Sequence, residues 1–143
     1  MESNSLAPLG LLDEVRDFLG GLRRELPSLF PQARADSRER AREIFGARVA
    51  HWVPRMGLEG RVRRISIKDQ RTLWGSCTRG GNLNFNWRVV LAPPAVLDYL
   101  VIHELANLHE MNHSKRFWGR VAEHCPDYKA HRKWLRSFSR MRP

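Results

Sequence analysis

Two amphipathic stretches precede the first strand signal. Leu11, Leu12, Val15, Phe18, Leu19 and Leu22 give helical spacing over 9–26, weakened by Gly20-Gly21 and closed by Pro27. Residues 27–35 read as a connector. Ala41, Ile44, Phe45, Val49, Trp52, Val53 and Met56 form a cleaner stripe. They predict a helix capped by Asp36 or Ser37 and running to about Met56, with Pro54 near its end as a potential kink. Gly57 and Gly60 bracket a turn. The period then changes to two: Val62, Ile65 and Ile67 against Arg63, Arg64, Ser66 and Lys68 predict a strand over 61–69 with one wet face. Trp74-Gly75-Ser76-Cys77 and a Gly80-Gly81 turn follow. Residues 82–92 predict a second strand, with Leu83, Phe85 and Trp87 on one face and Val89-Val90-Leu91 buried on both. Pro93-Pro94 stops it and suits the start of a helix over 95–111, whose inner face is Val96, Leu97, Leu100, Val101, Leu105 and Leu108. A helix over 114–124 turns Phe117, Trp118 and Val121 inward, and Pro126 opens a last helix to about Phe138. No repeat, low-complexity segment or dividing linker appears.

Composition narrows the class. A chain of 143 residues with 42% apolar content has the means for one core and is not a disordered polymer. No apolar run is long enough to span a membrane, and 1–10 lacks the layout of a secretory signal. Cys77 and Cys125 are too few for a disulfide scaffold, so free thiols and a cytoplasmic location are expected. The net charge of +10 is uneven: residues 1–60 sum to zero, 61–102 to +5 and 103–143 to +5. That basic portion suits an anionic partner or nucleic acid, although a solvated face is the plainer reading because no basic-plus-aromatic repeat is present.

The chemistry concentrates in His103-Glu104-Leu105-Ala106-Asn107. Two histidines at i and i+4 on a helix bind zinc from one face, and a glutamate beside the first can deprotonate the metal-bound water. Here the first histidine and the glutamate are present, and asparagine holds the second histidine position. His113, six residues on, can swing back over the helix as a further ligand, and the extended stretch before the helix offers an edge for a peptide.

The segments 71–77, 86–94, 101–105, 110–114, 116–118, 125–129 and 131–135 occur in an order that resembles the YgjP-like metallopeptidase family, a relative of SprT-like and other zincin peptidases. The resemblance covers about 40–136. It implies an α+β, zincin-like fold in which a small, mostly antiparallel sheet packs on the helix bearing His103 and Glu104, with flanking helices. It implies a zinc cofactor held by His103 and His113, Glu104 as general base, and peptide substrates. Asn107 stands where the family has its middle ligand, and Leu73 stands where it usually has a basic residue. The family commonly opens with a β-rich segment, so 1–35 is expected to be a divergent helical front and 36–143 the metallopeptidase domain.

An amide carbonyl is a poor substitute for imidazole at zinc, so affinity should fall. Three readings compete: an active hydrolase with a weakened site, a fold that has lost turnover, and a copy in which one ligand has been substituted. Hydrolysis of a phosphoanhydride or nucleotide is an alternative for the same metal. A binding module holding nucleic acid or an acidic partner on its basic face is the alternative outside enzymes.

Simpler roles are expected elsewhere. His109 lies about 240° round the helix from His103, on a solvated face. Cys77 reads as a small packed residue, Trp74 and Trp87 as core or wall, and His51 as partly buried structure. His124 and His131 lack ligand spacing to Asn107. Tyr128, His131 and Arg132 have either a packing role or a place over the site as oxyanion partners.

Overall fold

The structure, a computed structural model, describes residues 31–70 and 72–140. The chain divides into two units, of which Ser37–Met141 is described below. The helix expected over 9–26 lies outside the described residues. Helix α1 (Pro31–Arg55) begins earlier than its polar caps suggest, so the latter part of the expected connector is helical. Proline at the opening position has a preset φ and no N–H to leave unpaired. The predicted stripe is the buried one: Ala41, Phe45 and Val49 are in the core, with Ile44, Trp52 and Val53 packed against it. Pro54 falls in the last turn. There the chain leaves through Gly57 at φ 67°, which favours a residue without Cβ.

Three short strands, β1 (Arg64–Lys68), β2 (Gly75–Cys77) and β3 (Asn82–Asn86), form a sheet in the order β1-β3-β2. β2 and β3 are an antiparallel hairpin, while β1 runs parallel to β3 with Ile65 opposite Leu83 and Ile67 opposite Phe85. The sheet is therefore mixed, where a mostly antiparallel one is expected. Alternation fixes which face a side chain takes, but not which strand lies beside it. Gly81 makes the join possible: its φ is 96° and a Cβ there would sit 2.2 Å from the Arg61 carbonyl oxygen.

The second strand ends at Asn86, short of the expected residue 92. Asn86 is buried, and its side-chain oxygen accepts from the Arg88 N–H at 3.0 Å while its amide donates to the carbonyls of Gln70 and Leu73. With Asn86 pinned, Trp87–Leu91 tightens into a 3-10 turn, and Val89 is buried as the apolar run suggests.

Helices α2 (Pro94–Ala106), α3 (Lys115–His124) and α4 (Tyr128–Arg140) complete the unit. α2 is central: Val96, Leu97, Tyr99, Leu100, Val101, Ile102, Leu105 and Ala106 are all buried, and it packs on β2, α3 and α4. Pro94 opens it as expected. It ends at Ala106 rather than 111: the Leu108 and His109 N–H groups donate to the Leu105 and Ala106 carbonyls three residues back, closing α2 in a tighter turn, and long-range bonds hold the chain beyond it. The Arg61 guanidinium donates to the Leu108 carbonyl at 2.8 Å. The His109 ring nitrogen Nε2 lies 2.8 Å from the Met56 carbonyl oxygen. Ser114 caps α3 by accepting from the Phe117 N–H at 3.4 Å. The α+β class stands.

Candidate functional site

The last turn of α2 carries His103 and Glu104, and Asn107 caps it. Because α2 stops there, the following loop brings His113 back over it. The rings of His103 and His113 stand 5.1 Å apart at 77°. Two imidazoles sharing one tetrahedral zinc, each with a bond of about 2.0–2.1 Å, have centroids roughly 5 Å apart, so the pair has a spacing that suits a common ion. The Tyr99 hydroxyl lies 3.2 Å from His103 Nδ1, which orients the ring and leaves Nε2 open. Phe117 contacts both rings, at 4.9 and 4.5 Å between centroids. Burial, with lesser contributions from His113 and Arg132, lowers the His103 pKa to about 4. The ring is thus neutral at neutral pH, the state a metal ligand needs.

Glu104 is 4% exposed. Desolvation raises its carboxyl pKa to about 7, opposed by a hydrogen bond from Asn107. The backbone of β2 crosses directly over it: a Cβ on Gly75 would sit 3.0 Å from Glu104 Oε2 and 3.2 Å from the Asn84 carbonyl oxygen. Gly75 and Tyr99 are the two participants that the sequence did not single out. Tyr99 carried a signal, since it is four residues before His103 on the same face. Gly75 carried none until β2 was seen to lie over α2.

Asn107 is 8% exposed, and its Nδ2 donates to Glu104 Oε1 at 3.1 Å. The NH₂ end thus faces Glu104, and the amide offers at most a weak neutral oxygen elsewhere. Among the described residues no three His, Cys, Asp or Glu side chains gather to hold a metal ion. The two imidazoles fit zinc, but the set falls one short of the three protein ligands a catalytic zinc requires, so it does not complete such a site. His109 does not fill the gap: it is half-buried and engaged with the Met56 carbonyl rather than on a solvated face.

The remaining candidates separate. Trp74 stacks on Phe138 at 5.3 Å, and Trp87 is 2% exposed, as wall and core residues should be. Burial and the nearby Glu104 push the Cys77 thiol up to about 11, which removes it as a nucleophile at neutral pH. His51 and His124 both pack on Trp52. The Tyr128–Arg132 block does come alongside the site. Tyr128 stacks on Trp118 at 5.1 Å, the Arg132 guanidinium lies over Trp118 at 4.9 Å, and His131 faces Tyr99 at 6.4 Å.

A family model described as the YgjP-like metallopeptidase domain matches residues 22–138. No curated protein matches. Among solved structures, the chain is similar to the metallopeptidase zymogen of Pyrococcus abyssi abylysin, with a TM-score of 0.60 and 20% identity over 65% of this chain and 92% of that one. It is also similar to the metallopeptidase zymogen of Methanocaldococcus jannaschii jannalysin, with a TM-score of 0.56 and 18% identity over 68% of this chain and 96% of that one. At these identities the likeness is one of fold.

Proposed function

This chain belongs to the YgjP-like metallopeptidase family, and from that premise we propose a peptide-directed site in which His103 and His113 are the retained zinc ligands and Glu104 the general base. With asparagine at 107, the chain binds zinc weakly and turns over little substrate. The observation that carries this reading is the 3.1 Å hydrogen bond from Asn107 Nδ2 to Glu104 Oε1. The amide in the middle-ligand position is spent on the base instead of facing an ion. Glu104 is buried and has a pKa near neutrality, which suits a group that accepts and returns a proton. His103 is held by Tyr99 in an orientation that leaves one nitrogen free.

Elemental analysis before and after Asn107→His tests this. The chain with Asn107 should hold well under one equivalent of zinc. The variant should hold about one equivalent and cleave an unstructured protein substrate in a chelator-sensitive way. Failure of both forms to hold zinc refutes the assignment.

A further inference from the structure

Four cations stand on one face of α4. Lys129, Arg132, Lys133 and Arg136 follow one another at helical spacing, so their side chains form one stripe. With Trp118 and Tyr128 they line a cleft of about 510 Å³, inside the roughly 300–1,000 Å³ range of small-ligand sites. All four are exposed, and none is ion-paired to a described residue. Like charges three and four residues apart weaken a helix, so the cleft carries a repulsion that an anion would relieve. Its aromatic wall prepares the capture. Arg132 rests over Trp118 at 4.9 Å, which orders the guanidinium before a ligand arrives and lowers the entropy cost of binding. A guanidinium so held presents paired N–H donors that match a carboxylate.

The cleft adjoins the histidine pair. The Trp118 ring stands 5.6 Å from that of His103 and 5.9 Å from that of His113, so one side chain walls both. Nucleic acid suits the cleft less well. Tyr128 and Arg132 already cover the Trp118 ring, which leaves it a poor platform for stacking a base.

We infer that the α4 cleft binds a carboxylate of a peptide, from an acidic side chain or from the chain terminus, beside His103 and His113. This rests on the peptide-directed reading above and gives it a substrate preference.

Binding rather than turnover tests it, so the outcome does not depend on how active Asn107 leaves the chain. The full-length protein is titrated at low salt with short fluorophore-labelled peptides, read by anisotropy. One has glutamate side chains and an amidated C-terminus, one is neutral with a free C-terminus, and one is neutral and amidated. At least one of the first two should bind about tenfold or more tightly than the third, and which one identifies the source of the carboxylate. Arg132→Gln with Arg136→Gln should abolish the preference. Lys129→Gln with Lys133→Gln should reduce it, and Arg40→Gln with Arg42→Gln on α1 should leave it intact. Equal binding of all three peptides, or equal loss in the α1 variant, overturns the inference, as does an oligonucleotide that outcompetes the acidic peptide. A carboxylate preference in a protein whose Asn107→His form takes up no zinc fails the hydrolase reading alone.

Discussion

Asn107 and Glu104, one turn apart at the end of α2, are joined by a 3.1 Å hydrogen bond from amide to carboxylate. Both are almost fully buried, and this contact opposes the desolvation that raises the Glu104 pKa. Asn107→Ala removes a donor from a buried carboxyl and should raise the Glu104 pKa further. At pH 8, where the group is ionised, the loss should cost about 1–3 kcal/mol of stability, and less at pH 5, where it is protonated. Denaturant unfolding at the two pH values checks this; equal losses at both refute it.

Glu104 and His103 should impose opposite pH slopes on the metal-free protein. The Glu104 pKa rises from 4.5 to about 7 on folding, so the unfolded chain releases that proton first and stability falls as pH climbs through this window. The His103 pKa drops from 6.5 to about 4, so the unfolded chain is protonated first and stability falls as pH descends through that window. The slopes largely cancel where they overlap. Glu104→Gln should expose the acid-side loss and His103→Gln the alkaline-side loss, each on the order of 1–3 kcal/mol. Unfolding curves in chelator across pH 4–8 test this, and variant profiles parallel to the parent would count against it.

Gly75 should tolerate no side chain without disturbing Glu104. A Cβ would lie 3.0 Å from Glu104 Oε2 and 3.2 Å from a backbone oxygen of β3. The carboxylate must shift, at a cost of about 1–3 kcal/mol for Gly75→Ala. In the Asn107→His background, Gly75→Ala should lower peptide cleavage while zinc content holds. Unchanged cleavage would show that Glu104 has room to spare.

Cys77 should be a slow thiol. Its pKa near 11 makes alkylation at pH 8 about 100-fold or more slower than for a free cysteine. Mass spectrometry after timed alkylation, native against unfolded, reads the difference. Fast native labelling of Cys77 would contradict the burial that raises its pKa.

The sequence by itself determined the parts whose signal is local. The stripe of α1, Pro94 at the start of α2, the amphipathic spacing of α3 and the His103-Glu104 pair with Asn107 all depend on spacing along a few residues. Periodicity and capping act over that range. What only the tertiary structure decided depends on distant partners. β1 is parallel to β3 because of which strand it meets. The second strand stops at Asn86 because its amide reaches the carbonyls of Gln70 and Leu73. α2 stops at Ala106, and Arg61 and His109 then bond the backbone of Leu108 and Met56. That early stop brings the His113 ring to the His103 ring and turns Asn107 onto Glu104. No pattern along the chain encodes where a helix yields to such contacts, because the competing hydrogen bonds come from residues about fifty positions away.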